Sequence, residues 1–214
     1  MSTPEPPADC ALCPRLAAFR ATQRQVEPDW FNKPVPSFGD PEARLLIVGL
    51  APGLRGANRT GRPFTGDYAG DLLYATLGTY GFASGTYDAR IDDGLKLNDC
   101  MITNAVRCVP PQNKPLPAEE KTCRQFLTAR LGTLPNLRAV LALGKIAHDN
   151  VIRAHNLRLS DYKFAHGARH DLGAGVMLFD SYHCSRYNTN TGRLTEQMFH
   201  DVFDAIAETL QRNS

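Results

Sequence analysis

The sequence predicts an α/β fold, a three-layer α/β/α sandwich around a parallel sheet. Two observations predict it. Four short apolar runs, Arg44 to Leu50, Cys100 to Val106, Arg138 to Leu143 and Val176 to Tyr182, are nearly continuous in hydrophobicity. That is how strands buried on both faces read. Helix-period segments follow each run, and a β-α-β-α-β-α-β-α order closes through right-handed crossovers, with helices on both faces of one sheet.

Each element has its own signature. After the first run, a helix starts near Tyr68, with Leu72, Leu73, Thr76 and Leu77 on one face. After the second, Pro117 stands where a first helical turn tolerates it, and Cys123, Phe126, Leu127, Leu131 and Leu134 recur at helical spacing. A helix from Lys145 to about His155 follows the third run. The last helix carries Met198, Phe199, Val202, Phe203, Ile206 and Leu210 as a core-facing stripe. Residues 1–43 fall outside the alternation. They read as an N-terminal extension laid over a single domain that spans residues 1–214.

Composition narrows the function classes. Hydrophobic residues at 43% and charged residues at 21% exclude wholesale disorder. No apolar run reaches the length of a transmembrane helix. The Pro-rich, acidic start lacks the features of a secretory signal. A cytoplasmic protein with reduced thiols and no membrane partner is expected. Lys and Arg number 24 against 22 acids, a net charge of +2, so nucleic-acid binding would have to rest on local patches.

In such folds ligands bind beyond the carboxyl ends of the strands. The loops after the first, second and fourth strands are therefore the candidates. Residues 51–66 hold Arg55, Arg59 and Arg62. Residues 106–117 hold Arg107 and Lys114, and residues 183–195 hold Arg186 and Arg193. The three loops contain seven basic residues and no acid. Mixed with Ser, Thr, Asn and Gly, this composition suits a phosphate backbone, with nucleotide or sugar-phosphate binding as the other reading. Gly56-x4-Gly61-Arg62-Pro63 falls short of a P-loop, because it lacks the Lys and the Mg²⁺-binding hydroxyl.

Six cysteines in a reducing setting point to metal ligands or core residues before disulfides. Cys10-x2-Cys13, Cys108 and Cys123 could assemble a four-thiolate set for zinc or an iron–sulfur cluster. Cys100 and Cys184 read as core or loop residues. His166-x3-His170 reads as a loop, and Trp30 with Phe31 as packing for the extension.

Five stretches then carry a specific resemblance: Gly49-Leu-Ala-Pro-Gly53, Thr60 to Asp67 (TGRPFTGD), Asn104-Ala-Val-Arg-Cys108, Pro110 to Pro115 (PPQNKP) and His183 to Thr195 (HCSRYNTNTGRLT). In this order they resemble the uracil-DNA glycosylase superfamily, family 5 most of all, with family 4 as the close relative. The resemblance implies a four-stranded parallel sheet and a [4Fe–4S] cluster on Cys10, Cys13, Cys108 and Cys123, in place of zinc. It implies excision of uracil, and of other deaminated bases such as hypoxanthine, from single- or double-stranded DNA by a nucleoid-associated monomer.

The resemblance also assigns roles. Phe64 would stack on a flipped base, Asn104 would read its edge, and Ala51 and Gly53 would line its pocket. His183 would stabilise the departing base anion. The first motif holds no acid, so Asp67, helped by Asn113, would position or activate water. Asp71 at the helix start is an alternative. DNA contacts would fall to Arg55, Arg59, Arg62, Lys114, Ser185, Arg186, Tyr187, Asn188 and Arg193. A lesion-sensing module without catalysis is the competing reading.

Overall fold

A computed structural model describes residues 3–212. The extension forms α1 (Pro14–Val26) and the edge strand β1 (Phe38–Gly39). The chain continues through β2 (Leu45–Gly49), α2 (Ala57–Thr60), α3 (Tyr68–Thr79), β3 (Ala83–Ser84), β4 (Lys96–Leu97), β5 (Cys100–Asn104) and α4 (Pro117–Gly132). It ends through β6 (Ala139–Leu143), α5 (Lys145–Ala154), β7 (Arg169–Asp171), β8 (Met177–Ser181), α6 (Arg186–Asn190) and α7 (Glu196–Arg212). β3 and β4 pair as a small hairpin outside the main sheet.

The main sheet has six strands in the order β1-β5-β2-β6-β8-β7. The four apolar runs are its centre: β5, β2, β6 and β8 are mutually parallel. The expectation of a four-stranded parallel sheet describes this centre and omits two short antiparallel edges, β1 and β7. Neither edge carries an apolar run. β1 is two residues long and β7 reads Arg-His-Asp, so hydrophobic patterning gives them no signal.

Alternation along the parallel strands sorts their side chains into two layers. Leu45, Ile47, Ile102, Leu141 and Phe179 pack with Leu73 and Leu77 of α3 and Phe199, Phe203 and Ile206 of α7. Leu46, Val48, Val140, Ala142 and Leu178 pack with Leu127 of α4 and Val151 and Ile152 of α5. The result is the expected sandwich. A third apolar cluster, with Leu16, Val106 and Phe126 among its members, seats the extension on the body of the protein. Because the central strands are parallel, their carboxyl ends meet at one edge, and the loops that follow β2, β5 and β8 converge there. Among the described residues no helix is long and apolar enough to cross a membrane.

Candidate active site

A cavity of about 560 Å³ opens at that edge. It is lined by Ala51, Pro52 and Gly53 after β2, by Phe64 and Asp67 before α3, by Asn104 and Asn113 after β5, and by His183, Ser185 and Arg186 after β8. The sequence-derived catalytic trio, Asp67, Asn113 and His183, therefore shares one cavity with the four candidate base-contacting residues.

Local geometry sets each side chain. Asp67 is the N-cap of α3, its carboxylate accepting from the Gly70 amide at 3.4 Å. The residue is exposed at the cavity, but the protein packed against its carboxylate partly desolvates it, which raises its pKa above the usual carboxylate value. Gly53 and Gly56 crowd it: a β-carbon on either would lie 3.0 or 2.5 Å from Oδ2. Phe64 is buried and sits at φ 52°, a left-handed conformation uncommon for a bulky residue. Its carbonyl accepts from the Tyr87 hydroxyl at 3.2 Å, while the preceding carbonyl, of Pro63, accepts from Tyr74 at 2.7 Å. Two tyrosines thus hold the turn that presents the ring.

The Phe64 and His183 rings lie 5.8 Å apart at 27°. His183 is half-buried, and desolvation lowers its pKa to about 4, so the ring is neutral at physiological pH. Its backbone is fixed by Asn188, whose side chain donates to the His183 carbonyl at 2.8 Å. Asn104 is buried, and its Oδ1 has no partner among the described residues. A buried acceptor left open at a cavity wall is a group prepared for a ligand donor. Asn113 is exposed at the rim, and both it and Gln112 have positive φ (57° and 56°). The cavity thus combines an aromatic face, an open amide acceptor, a neutral imidazole and a carboxylate of raised pKa.

The four cysteines also meet. Cys10 and Cys13, at the start of α1, pack against the buried Cys108 and Cys123 in the third apolar cluster. Cys123 Sγ accepts from the Arg107 amide at 3.3 Å. The clasp is completed by Arg15, which pairs with Glu119 of α4 at 2.7 Å, and by the buried Arg20, which donates to the carbonyls of Ala8 and Cys10. Burial pushes the Cys108 and Cys123 thiols up to about 12 and about 11. One trio of His, Cys, Asp or Glu donor atoms among the described residues lies within 4.8 Å of one another, and it is His148, His170 and Asp180, not the cysteines. Four thiols gathered in one apolar pocket are a donor set that suits zinc or an iron–sulfur cluster.

Residues 36–207 match the family described as the uracil DNA glycosylase superfamily. The chain belongs to that superfamily. A type-5 uracil-DNA glycosylase of Thermus thermophilus is 49% identical over 199 residues, covering 90% of each chain. A type-5 uracil-DNA glycosylase of Pyrobaculum aerophilum is 39% identical over 208 residues, 95% of this chain and 87% of the relative. A type-4 uracil-DNA glycosylase of Archaeoglobus fulgidus is 30% identical over 154 residues, 70% and 69% of the two chains.

In this superfamily member the basic loops divide into two groups. Arg55, Arg59, Lys114, Arg186 and Arg193 are exposed, Arg186 at the cavity itself, and Tyr187 is exposed at 71%. Arg186 lies 5.2 Å from the Tyr68 ring and Arg193 4.6 Å from that of Tyr182. Arg62 corrects the expectation of a DNA contact. Its side chain is 2% exposed, pairs with Asp93 at 2.6 Å and donates to Thr65 at 2.7 Å. A guanidinium consumed by a buried partner has nothing to offer a phosphate. Arg107 is buried as well, against Glu5. Ser185 caps α6 and Asn188 braces His183, so both also have work inside the loop. Sequence reasoning did not find Tyr74, Tyr87 or Asp93. Their chemistry lies in the hydrogen bonds they make to residues far along the chain, and no local motif records that.

Proposed function

We propose that this chain is a monofunctional DNA glycosylase of base excision repair. It hydrolyses the N-glycosidic bond of uracil in DNA and leaves an abasic site. The observation that carries the proposal is that Asp67 and His183 face one cavity whose walls include Phe64 and Asn104. In the proposed reaction the target nucleotide leaves the stack and enters the cavity. Phe64 stacks on the base, and the open Oδ1 of Asn104 accepts an N–H from its edge. As the glycosidic bond breaks, negative charge gathers on the base and positive charge on the sugar. Neutral His183 donates a hydrogen bond to the forming base anion, an effect worth ~3 kcal/mol in a water-poor site. Asp67, with Asn113 at the rim, orients the water that adds to C1′ and takes up its proton. The raised pKa of Asp67 suits a base working near neutrality.

The cavity wall that faces the base is apolar at Leu50 and Ala51. This supports a substrate range that extends to hypoxanthine. Arg55, Arg59, Lys114, Arg186 and Arg193 would neutralise the DNA backbone, with Tyr187 against the bases. The protein acts as a monomer and one domain, and it associates with the nucleoid through DNA.

Cys10, Cys13, Cys108 and Cys123 would hold a [4Fe–4S] cluster. Their four-thiol donor set and apolar setting fit such a cluster. When bound, the cluster supplies a structural cross-link. The residues it joins are the start of α1, the loop after β5 and α4, which keeps that loop, and Asn113 within it, in register with the cavity. Cys123→Ser should lose the brown colour and fold poorly, whereas a stable, colourless, active variant would contradict the structural role.

The deciding experiment incubates the protein with oligonucleotides carrying uracil or hypoxanthine, then applies alkali and separates by size. Cleavage at the lesion supports a glycosylase. Binding without cleavage would favour a lesion sensor, and activity confined to uracil would retire the wider range.

A further inference from the structure

The trio His148, His170 and Asp180 lies outside the cavity, and the reaction makes no use of it. Asp180 is on β8, on the face that packs against α5, with zero exposure. His148 of α5 is equally buried. Its Nδ1 is 2.8 Å from Asp180 Oδ1. His170, on the edge strand β7, places Nε2 3.2 Å from Asp180 Oδ2 and is 14% exposed. The donor atoms of all three lie within 4.8 Å of one another. Tyr162 and Phe164 wall the cluster, their rings 5.7 Å from His170 and His148 respectively.

Two features point to a cation at this cluster. First, His148 faces acceptors on both ring nitrogens: the Asp180 carboxylate at Nδ1, and the Tyr162 carbonyl at Nε2, 2.9 Å away. A neutral imidazole has a single N–H and cannot serve both. A cation at Nδ1, a second proton or a metal ion, resolves the conflict, and either leaves an N–H for Tyr162. A histidine held by a backbone carbonyl at its far nitrogen is the usual outer support of a metal ligand. Second, the donors converge: one ligand atom from each of the three residues lies within 4.8 Å of the other two, close enough for a single ion to draw them in.

We propose that His148, His170 and Asp180 bind a divalent first-row transition metal, zinc foremost, at a site separate from the cysteines. Two imidazoles and one carboxylate suit such ions, whereas thiolates suit iron–sulfur chemistry. The three ligands come from α5, β7 and β8, so the ion pins the short edge strand β7 to the sheet and to the helix behind it. His170 provides the solvent-facing entry.

The test uses the iron-loaded, full-length protein, dialysed against chelator and then exposed to zinc ions. Zinc and iron per chain are measured after gel filtration, along with the melting temperature. The proposal expects one zinc per chain, a raised melting temperature and unchanged iron. His170→Ala should lose both the zinc and the thermal shift while keeping its iron. His170→Cys, which restores a ligand, should regain both. Zinc uptake by the unmodified protein no greater than that of His170→Ala would overturn the site and leave a second proton as the cation on His148. Zinc gained only as iron is lost would place the metal at the cysteines and also overturn it.

Discussion

The Cys184 thiol donates to the Ala69 carbonyl at 3.4 Å. Cys184 follows His183, and Ala69 lies in the first turn of the helix that Asp67 caps. This buried contact is therefore a tie between the loop that carries the imidazole and the helix that carries the carboxylate. Cys184→Ala deletes it and leaves a small void, at a cost of about 1 kcal/mol. The rate of base release should fall several-fold with little change in KM, because the partners of the reacting bond are displaced while the walls that hold the base are not. Equal kcat for variant and parent would show that the tie is dispensable.

Asp67→Asn should separate activity from stability. Removing the base should lower kcat ~10²–10⁴-fold. Asn still caps a helix. The folded pKa of Asp67 is raised, so its stabilising contribution is complete below the unfolded value and is lost as pH rises through the folded one. At neutral pH the charge is therefore a liability, and the Asn variant should melt at the same temperature or higher. Calorimetry at pH 7 measures this. A clear drop in melting temperature would oppose it.

His183 has the opposite sign. Its pKa falls from 6.5 unfolded to about 4 folded. The unfolded chain takes up the proton first, so stability drains away as pH drops from 6.5 towards 4. Removing the imidazole abolishes that loss. His183→Asn should lose less stability than the parent across this window in denaturant titrations. Its base release at neutral pH should be ~10²-fold slower, about 3 kcal/mol of transition-state stabilisation.

The arginines of the first loop should behave in two ways. Arg62→Ala strands the buried Asp93 carboxylate and should cost about 3–5 kcal/mol of stability. The salt dependence of DNA binding should stay as it was. Arg55→Ala and Arg59→Ala should leave stability intact and each flatten the salt slope by ~1. Binding measured over a salt series, beside chemical denaturation, distinguishes the two classes.

The contrast between Arg62 and Arg55 shows where the sequence stops being readable. Both sit in one Gly-rich, basic loop, and what separates them is Asp93, which lies in another loop and reaches Arg62 only through the fold. The central strands were legible because burial on both faces demands continuous apolar runs. β7 was not, since an edge strand needs no such run and its His170 looked like a loop residue. The Cys10-x2-Cys13 spacing was legible as a local half-site, whereas the buried His148–Asp180 pair joins positions 32 residues apart with no motif to mark it. Phe64 and His183 were recognisable by resemblance. The strained turn that aims Phe64 depends on Tyr74 and Tyr87, and their part is a matter of three-dimensional contact.

Glu5 binds Arg107 at 3.1 Å and Arg130 at 2.6 Å, and Arg107 is wholly buried beside the sulfur of Cys123. Glu5 thus anchors two guanidinium groups of the body of the protein. Trimming by a protease past Glu5, or a tag fused so closely that it pulls Glu5 away, would leave a guanidinium charge sealed in apolar surroundings next to the cysteines. Preparations shortened at this end would be expected to lose stability and aggregate, though every residue lining the base cavity remained in place.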